Sequence, residues 1–304
     1  MAELTRQEKI KKRSQWGLVW QRLRRNKMAM AGLVILLGLV IMAIFAPIIA
    51  PHDVIETNLR NRFLLPTWLP GTNPEGGINF QHLMGTDNFG RDIFSRIVYG
   101  SRVSLQIGLI SIGIATIVGG LIGSVSGYYG GKSDNVMMRL MDILLAIPGT
   151  LLAISIVAAL GPGMINLMIA IAIGAIPVEA RVIRASVMQV RDQEFVEAAK
   201  AVGTSDLRII FKHILPNALA QIIVQSTLGV ASAILTAAGL SFIGLGIQPP
   251  APEWGSMLSE GRGYMFSGHW HMTVFPGLAI MLTIYALNLL GDGLRDALDP
   301  KLKQ

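Results

Sequence analysis

The sequence predicts an all-α polytopic membrane protein with six transmembrane helices, and its composition supports this fold class. Of its 304 residues, 52% are hydrophobic and only 15% are charged, a low charged fraction for a soluble protein. Apolar runs of about 20 residues recur along the chain, and a helix of this length spans a hydrocarbon core of roughly 30 Å. The sequence contains no cysteine, which excludes a disulfide framework and a thiolate metal site.

The N-terminal segment, residues 1–27, is rich in Lys and Arg and carries large apolar side chains on one helical face at Trp16, Trp20 and Leu23. This pattern is typical of an amphipathic helix at the membrane surface; a solvated basic tail is the alternative for its first dozen residues. The first transmembrane helix is expected within residues 28–50. Its apolar run exceeds the roughly 7–15 residues of a signal-peptide core, so we expect it to be retained.

A polar extracytoplasmic loop is predicted over residues 51–102, where Pro, Gly and Asn are frequent. It ends in a short helix that Asp92 can cap. A core of five further helices is predicted within residues 103–291, followed by a tail over residues 292–304. The expected spans of this core are 103–125, 137–160, 164–178, 218–240 and 273–290.

Small residues recur every four positions in the second predicted span. They are Ala115, Gly119, Gly123 and Gly127. Positions four apart share one face of a helix, and small side chains on that face let another helix approach closely. We therefore predict that this stripe is a helix-packing surface.

Four residues within or near the predicted spans are expected to break helices at membrane depth. They are Pro148, Gly239, Ser241 and Gly244. Irregular backbone at that depth is tolerated only where protein or a water-filled cavity covers it. We predict that these residues line or gate a central pathway, with simple packing kinks as the alternative interpretation.

The charged stretch between the fourth and fifth spans, residues 179–216, is predicted to form two helices joined by a sharp turn. Asp192 is suited to cap the first helix, Gly203 to end it in a left-handed conformation, and Pro216 to limit the second. Apolar residues at helical spacing predict one small apolar face on the first helix. They are Phe195, Ala198, Ala199 and Val202.

The distribution of Lys and Arg predicts the orientation in the membrane. With six spans, both termini and residues 179–216 share one side, and 20 of the 26 Lys and Arg residues fall on it. Because cytoplasmic segments carry the excess of positive charge, we expect both termini and this loop in the cytoplasm. The net charge of +7 fits this placement better than it fits binding to nucleic acid.

Two motifs resemble nucleotide or catalytic sites, but each lacks a required part. Residues 127–133 resemble the C-terminal part of a phosphate-binding loop. However, Ser126 occupies the position of the first glycine of that motif, and no β-strand is predicted before the motif. Ser241, between two glycines, suggests an intramembrane nucleophile, but no histidine lies in a predicted span to act as its base. Both chemistries are therefore disfavoured.

Acidic residues are scarce in the predicted spans. Arg139 and Asp142 are three residues apart at the start of the third span and are expected to pair locally, and no other acidic residue lies deep in a span. A proton-driven carrier relies on such residues. A protein that moves a solute uphill without them needs energy from a partner.

The 179–216 loop matches a known pattern. Glu197-Ala-Ala, three residues, Gly203, nine residues and His213-x-Leu-Pro216 resemble the EAA loop of ABC importer permeases. His213 stands where the general pattern often has an aliphatic residue. The resemblance covers nearly all of the chain after residue 20 and is closest to the C-type permease subunit of dipeptide, oligopeptide and glutathione importers. The stretches similar to this peptide/nickel branch are 85–96, 100–105, 240–255 and 289–300.

The resemblance implies the type I ABC importer permease fold and a subunit that is not itself an enzyme. It implies a homologous second permease, two cytoplasmic ATPases that bind ATP and Mg²⁺, and an extracytoplasmic binding protein, with no cofactor in this chain. It also implies the cell membrane of a prokaryote. The residues that would dock on the ATPase are Phe195, Glu197, Ala198, Ala199, Gly203, His213, Leu215 and Pro216.

Several alternatives stay open at this point. Peptides are the expected substrate, and glutathione and nickel are alternatives because systems for all three share these motifs. A membrane scaffold without a conduction role is an alternative of another class, and an intramembrane protease is a third. The scaffold predicts no dependence of transport on residues 179–216.

The charge distribution makes the topology testable. A single cysteine introduced at Glu75 or Gly263 should react with a membrane-impermeant thiol reagent in whole cells, and one at Lys200 should not, because positive charge retains its loop in the cytoplasm. The absence of native cysteine leaves no background in the protein. Labelling of the Lys200 position from outside would contradict the six-span topology.

Overall fold

The computed structural model describes residues 15–70 and 80–298, and within these ranges the chain is helical and contains no β-strand. Parts of the predicted N-terminal segment (1–14), extracytoplasmic loop (71–79) and tail (299–304) lie outside the described residues. The helices are α1 (Gln15–Arg25), α2 (Lys27–Ile44), α3 (Ala46–Ile49), α4 (Ile93–Tyr129), α5 (Gly131–Leu145), α6 (Gly149–Leu160), α7 (Met164–Arg191), α8 (Glu194–Ala201), α9 (Asp206–Phe242), α10 (Trp254–Gly261) and α11 (His271–Leu298).

Five of these helices, α2, α4, α7, α9 and α11, are long and apolar enough to cross a membrane. α5 and α6 supply a sixth crossing if they form one broken span, but they are bent by 82° relative to each other. The all-α polytopic prediction is confirmed, and the span expected over 137–160 is divided into two helices at Pro148, one of the residues predicted to break a helix. Pro148 accounts for the break, because it has no N–H to donate and disfavours a helical conformation in the preceding Ile147.

Several helices extend beyond their apolar runs. α4 begins at Ile93 rather than at 103, because the Asp92 carboxylate accepts a 2.8 Å hydrogen bond from the Ser95 N–H and caps the first turn. α7 continues thirteen residues past 178, and α11 continues past 291. The boundaries expected at 102/103, 178/179 and 291/292 therefore fall inside helices. Hydropathy marks the part of a helix that lies in the membrane, whereas capping residues mark its ends.

The predicted small-residue stripe lies between α4 and α7. Ala115, Gly119, Gly123 and Gly127 are all buried. A Cβ carbon placed on Gly123 would lie 2.4 Å from the carbonyl oxygen of Ala180, and one on Gly127 would lie 2.8 Å from that of Arg184. The two backbones are thus too close to admit even a methyl group, which is the geometry that small residues allow in membrane helices.

The main apolar core fills the space between the long helices. Its fully buried members include Ile107 of α4, Val157 of α6 and Leu167 of α7. On α2, by contrast, Val34 and Ile41 are more than half exposed. A helix with apolar residues on its outer face suits a lipid environment.

The cap, defined as residues 51–70, 80–92 and 243–270, closes the end of the bundle where α4 begins. α4 has 37 residues and is about 55 Å long, so its C-terminal end lies at the opposite end of the bundle. Asp87, Arg91 and Glu260 of the cap form a buried cluster of ion pairs with Arg96 of α4, with nitrogen–oxygen distances of 2.6–3.0 Å. Two positive and two negative side chains balance one another there, which offsets the cost of burying them.

α10 is anchored in the cap by its N-cap residue and its first residue. The Glu253 carboxylate accepts 2.8 Å hydrogen bonds from the N–H groups of Gly255 and Ser256 and caps the helix. Burial raises the pKa of this carboxyl. The fully buried indole of Trp254 donates to the carbonyl oxygen of Ile97 at 3.1 Å, which ties α10 to α4.

The α4–α7 contact gives a stability prediction with a matched control on the same helix. Gly123→Ala should lower the free energy of unfolding by about 1–3 kcal/mol, the usual cost of overpacking, because its methyl group meets backbone. Gly113→Ala should leave stability unchanged or raise it by up to about 1 kcal/mol, because nothing lies within 4 Å of that position. Thermal unfolding of the two variants in detergent measures the difference. Equal unfolding temperatures would show that the stripe does not set the helix spacing.

Candidate functional site

The first candidate site is the α8 loop, residues 192–214, which joins α7 to α9. α8 begins after Gln193, which is its N-cap residue. The expected cap, Asp192, instead accepts a 2.8 Å hydrogen bond from Arg191 Nε. That hydrogen bond lowers the pKa of the Asp192 carboxyl. The prediction of Asp192 as the cap is wrong, because the neighbouring guanidinium competes for its carboxylate.

The inner face of α8 is formed by Val196 and Ala199, which are 0% and 8% exposed. They pack in one apolar cluster at the C-terminal end of α4. The other buried members of that cluster are Tyr128, Ile183, Val187, Val190, Ile209, Ile210, Ile214, Ala218 and Ile222. This cluster anchors α8 to α4, α7 and α9.

The sequence predicted that the apolar residues of α8 share one face, and their exposure in the structure shows that this prediction is wrong. Phe195 is 39% exposed, Val202 is 81% exposed and Ala198 is exposed as well. Only Ala199 of the four predicted residues faces inward, and its inward partner Val196 was missed. Helical spacing showed that α8 is amphipathic, but not which side of it the bundle covers.

Gly203 ends α8 in a left-handed conformation with φ of +77°. The Thr204 N–H donates to the Ala199 carbonyl oxygen at 3.1 Å, and the Gly203 N–H donates to that of Lys200 at 2.9 Å. These bonds satisfy carbonyl groups at the helix end. Nothing lies within 4 Å of a Cβ carbon placed on Gly203, so only its backbone conformation restricts the residue type there.

The second helix of the loop does not stop at Pro216, as expected, but continues to Phe242 as part of α9. A π-helical stretch, Ile209–Ile214, precedes the proline, and the Leu215 N–H donates to the Ile210 carbonyl oxygen five residues back. This wider turn accommodates Pro216, which has no backbone N–H to donate a hydrogen bond. His213, half-buried, lies in the π-helical stretch, while Pro216 is exposed.

Polar contacts fasten the α8 loop to the end of α4. The Tyr128 hydroxyl donates to Asp206 Oδ1 at 2.7 Å, and the Lys200 ammonium lies 5.3 Å from the Tyr128 ring centroid. Arg191 Nη1 donates to the Gly127 carbonyl oxygen at 2.9 Å. The loop is thus held next to its start, at Arg191, and within it, at Lys200 and Asp206.

Ion pairs also join α5 to α7. Arg184 pairs with Asp134, and Arg181 pairs with Asp142. The local pairing expected between Arg139 and Asp142 is therefore wrong, since α7 brings a second arginine within reach of Asp142.

The second candidate site is a cavity of about 440 Å³ between α6, α7 and α9. Its wall consists mainly of small and hydroxyl-bearing side chains. The residues that line it are Ile112, Gly149, Thr150, Ala153, Ala170, Ile171, Gly174, Ala175, Val178, Glu179, Gln225, Leu228, Gly229, Ser232, Ala233 and Thr236. A space of this size holds a small molecule.

Glu179 is the one acidic residue in that wall, and the sequence analysis did not single it out. It was expected at the start of a polar loop, whereas it lies inside α7 and is only 1% exposed. Thr116 Oγ1 lies 3.3 Å from Glu179 Oε2. Ala175, Glu179 and Ile183 recur every four residues, and from this helical spacing the predicted helix could have been continued past residue 178.

The predicted pathway residues are not all near the cavity. Pro148 precedes Gly149 of the wall, whereas Gly239, Ser241 and Gly244 lie beyond the last lining residue of α9. Gly239 and Ser241 are inside α9 and do not break it. Gly244, with φ of +85°, follows the helix end.

One group of side chains in the cap has metal-ligand chemistry. Ligand atoms of His52, His82 and Asp92 all lie within 4.8 Å of one another. However, His82 Nδ1 lies 2.9 Å from Asp92 Oδ1, and His52 Nε2 lies 2.8 Å from the Gln81 carbonyl oxygen. Hydrogen bonds therefore account for the placement of this group, and Asp92 is also the cap of α4.

Comparison with known families gives two matches. Residues 119–304 match the family described as binding-protein-dependent transport system inner membrane component. Residues 14–66 match the family described as the N-terminal TM domain of oligopeptide transport permease C. Together the two matches extend over most of the chain.

Curated relatives are similar over almost their whole length. The chain is 50% identical over 290 residues to the dipeptide transport system permease protein DppC of Alkalihalophilus pseudofirmus, covering 95% of this chain and 91% of the relative. It is 49% identical to the di/tripeptide transport system permease protein DppC of Pseudomonas aeruginosa, covering 93% and 91%. It is 45% identical to the glutathione transport system permease protein GsiD of Escherichia coli O157:H7, covering 96% and 92%.

A solved structure is similar in fold. An inward-facing conformation of the MetNI methionine ABC transporter matches with a TM-score of 0.56 and 19% identity, covering 68% of this chain and 98% of that chain. This likeness concerns the fold alone and agrees with the permease fold that the sequence resemblance implied.

Gly203 provides a test of how the α8 loop is held. Gly203→Val should destabilise the end of α8 by about 1–2 kcal/mol, because a β-branched residue is unfavourable at positive φ. Gly203→Asn should keep the loop intact, because asparagine tolerates this conformation. Hydrogen exchange of the α8 amides in the purified protein should rise in the valine variant only. Unchanged exchange in that variant would mean that the turn does not hold the helix end.

Proposed function

Because the chain belongs to the family of binding-protein-dependent transport system inner membrane components, we propose that it forms half of a translocation pathway for peptides and couples to a cytoplasmic ATPase through the α8 loop. The chain is a permease subunit of an ABC importer, and ATP hydrolysis belongs to separate ATPase subunits. The coupling, the substrate and the remaining partners make up the proposal.

One observation carries the coupling proposal: α7 and α9 each take part in both candidate sites. α7 contributes Glu179 to the cavity wall and ends at the start of the α8 loop, while α9 begins in that loop and contributes Ser232 to the same wall. The buried face of α8 packs on both helices. A displacement of α8 is therefore passed to the cavity through two continuous helices.

The outer face of α8 supports the assignment of this loop as the ATPase-docking element. Its exposed side chains include the carboxylates of Glu194 and Glu197, the small residues Ala198 and Ala201, and the large side chains of Phe195 and Lys200. The small residues suit close contact with a partner, and the carboxylates suit basic residues there. Ala199, by contrast, contacts this chain and serves to anchor α8.

The substrate proposal is supported by the relatives named for dipeptide and di/tripeptide transport. A cavity of about 440 Å³ agrees with a small peptide as the transported solute. Glutathione is the second candidate, because a relative named for glutathione transport is 45% identical over 96% of this chain. The scaffold and protease alternatives have no support in the comparisons.

The proposed assembly contains a homologous second permease, two ATPases that bind ATP and Mg²⁺, and an extracytoplasmic binding protein in the cell membrane of a prokaryote. Both termini and the α8 loop face the cytoplasm, and the cap faces the other side. The excess of Lys and Arg in the termini and the loop supports this orientation.

A size change on the outer face of α8 tests the coupling. Ala198→Trp should abolish co-purification of the ATPase, substrate-stimulated ATP hydrolysis and uptake of dialanine, because the indole would hold the loop out of a close-fitting groove. The subunit should still insert and pair with the second permease, because its apolar helices are unchanged. Co-purification, hydrolysis and uptake are measured on the same membranes.

The matched control is Ala198→Ser, which keeps the side chain small and should retain at least about half of the wild-type uptake, in line with the small effects of surface substitutions. Full uptake by the tryptophan variant would show that α8 is not the coupling element. Uptake of glutathione but not of dialanine by the wild-type complex would favour the second substrate.

A further inference from the structure

Glu179 is a buried acidic side chain within a membrane-spanning helix. Its side chain is 1% exposed, and it lines the cavity between α6, α7 and α9. Ionisable residues at such positions are costly and usually mark a pathway or a binding site. The α8-loop coupling described above does not use this carboxylate.

Among the described residues, Glu179 forms no ion pair. The first two arginines that follow it on α7 are engaged elsewhere, Arg181 with Asp142 and Arg184 with Asp134. The neutral groups Thr116 and Gln225 are the hydrogen-bond partners of its carboxylate. The carboxylate therefore lacks the positive charge that a buried acid normally requires.

The cavity gives Glu179 access to a ligand. Gly149, Thr150, Val178 and Ser232 of its wall are exposed on the surface of this chain, so the cavity opens on that side. Glu179 borders the cavity next to small residues such as Gly229. A ligand that enters through this opening meets one acidic group in an otherwise neutral wall.

We propose that Glu179 binds the protonated α-amino group of the transported peptide as it passes through the membrane. An ammonium group would supply the missing positive charge and form charge-assisted hydrogen bonds with the carboxylate. A peptide with a free amino terminus carries this group, whereas an N-acetylated peptide does not. The inference rests on the proposed peptide-transport function and adds the recognition group for it.

A purely structural role is the competing explanation, in which Glu179 links α4, α7 and α9 through its hydrogen bonds to Thr116 and Gln225. The glutamine side chain introduced by Glu179→Gln would have nearly the same shape, with one acceptor oxygen and one NH2 donor, but would carry no charge. Because Thr116 and Gln225 can each donate or accept, it can still hydrogen-bond to both. This substitution therefore separates recognition of an ammonium group from helix linkage. Glu179→Asp retains the charge on a shorter side chain.

The experiment uses the complete transporter in proteoliposomes with its binding protein. In Glu179→Gln, the maximal rate of dialanine uptake should fall by about tenfold or more, as expected when a charge-assisted hydrogen bond is replaced by a neutral one. The KM should not change, because capture by the binding protein precedes entry into the cavity. Glu179→Asp should retain more uptake than Glu179→Gln. Glu56→Gln, an acid-to-amide change at an exposed position of the cap, should behave as wild type.

A second measurement reports contact with the substrate. A hydrophobic carbodiimide should modify Glu179 in the wild-type complex, and mass spectrometry of the α7 peptide quantifies the modification. Dialanine should slow this reaction during turnover, and N-acetyl-dialanine should not. Protection by the free peptide alone would support recognition of the amino group.

Two results would overturn the inference while leaving the proposed function intact. One is wild-type dialanine uptake by Glu179→Gln. The other is loss of uptake in that variant combined with equal carbodiimide labelling of the wild-type complex with and without dialanine, which is the result expected of a structural role. If the wild-type transporter takes up neither dialanine nor glutathione, the proposed function itself is wrong.

Discussion

The close approach of α4 and α7 is the contact on which the rest of the molecule depends. At Gly123 and Gly127 there is no room for a side chain, so the two helices touch through their backbones. This contact fixes the position of α7, and α7 in turn presents Glu179 to the cavity and carries the α8 loop at its end. Dispersion contacts between closely packed backbones drive such an association in a lipid environment, where the hydrophobic effect between helices is absent.

The lengths of the helices connect the two ends of the molecule. α4, α7 and α9 each extend beyond the apolar run expected to cross the membrane. Their ends pack in one apolar cluster with Val196 and Ala199 of α8. The cluster and the cavity are therefore joined by α7 and α9 without an intervening loop, which is the structural basis of the proposed coupling.

Much of this architecture was predictable from local patterns, because those patterns act within one helix. The four-residue spacing from Ala115 to Gly127 marks a packing face wherever the partner lies, and Gly203 marks a helix end through its own backbone preference. The orientation of α8 was not predictable in the same way. Spacing alone does not distinguish Phe195 from Val196 as the inward residue, since that depends on which side of α8 the bundle lies.

Proline and charge were the less reliable signals, because their effects depend on neighbouring helices. Pro177 lies inside α7 and Pro216 inside α9, yet Pro148 separates two helices. Glu179 was assigned to a loop because it is charged, although the wall of a cavity can hold a charge within the membrane. Pro216 was expected to limit a helix, but the π-helical stretch before it lets the helix continue. Glu179 was left out of α7 because the surroundings of a span were treated as uniform lipid.

The bend between α5 and α6 has a consequence for the surface that this chain presents to a membrane. With 15 and 12 residues, the two helices are about 22 Å and 18 Å long, and neither alone crosses a hydrocarbon core of roughly 30 Å. Ile147 at the break is 44% exposed on the surface of this chain, and irregular backbone is not tolerated against lipid tails. Within the membrane this break therefore needs another protein surface or a water-filled cavity to cover it.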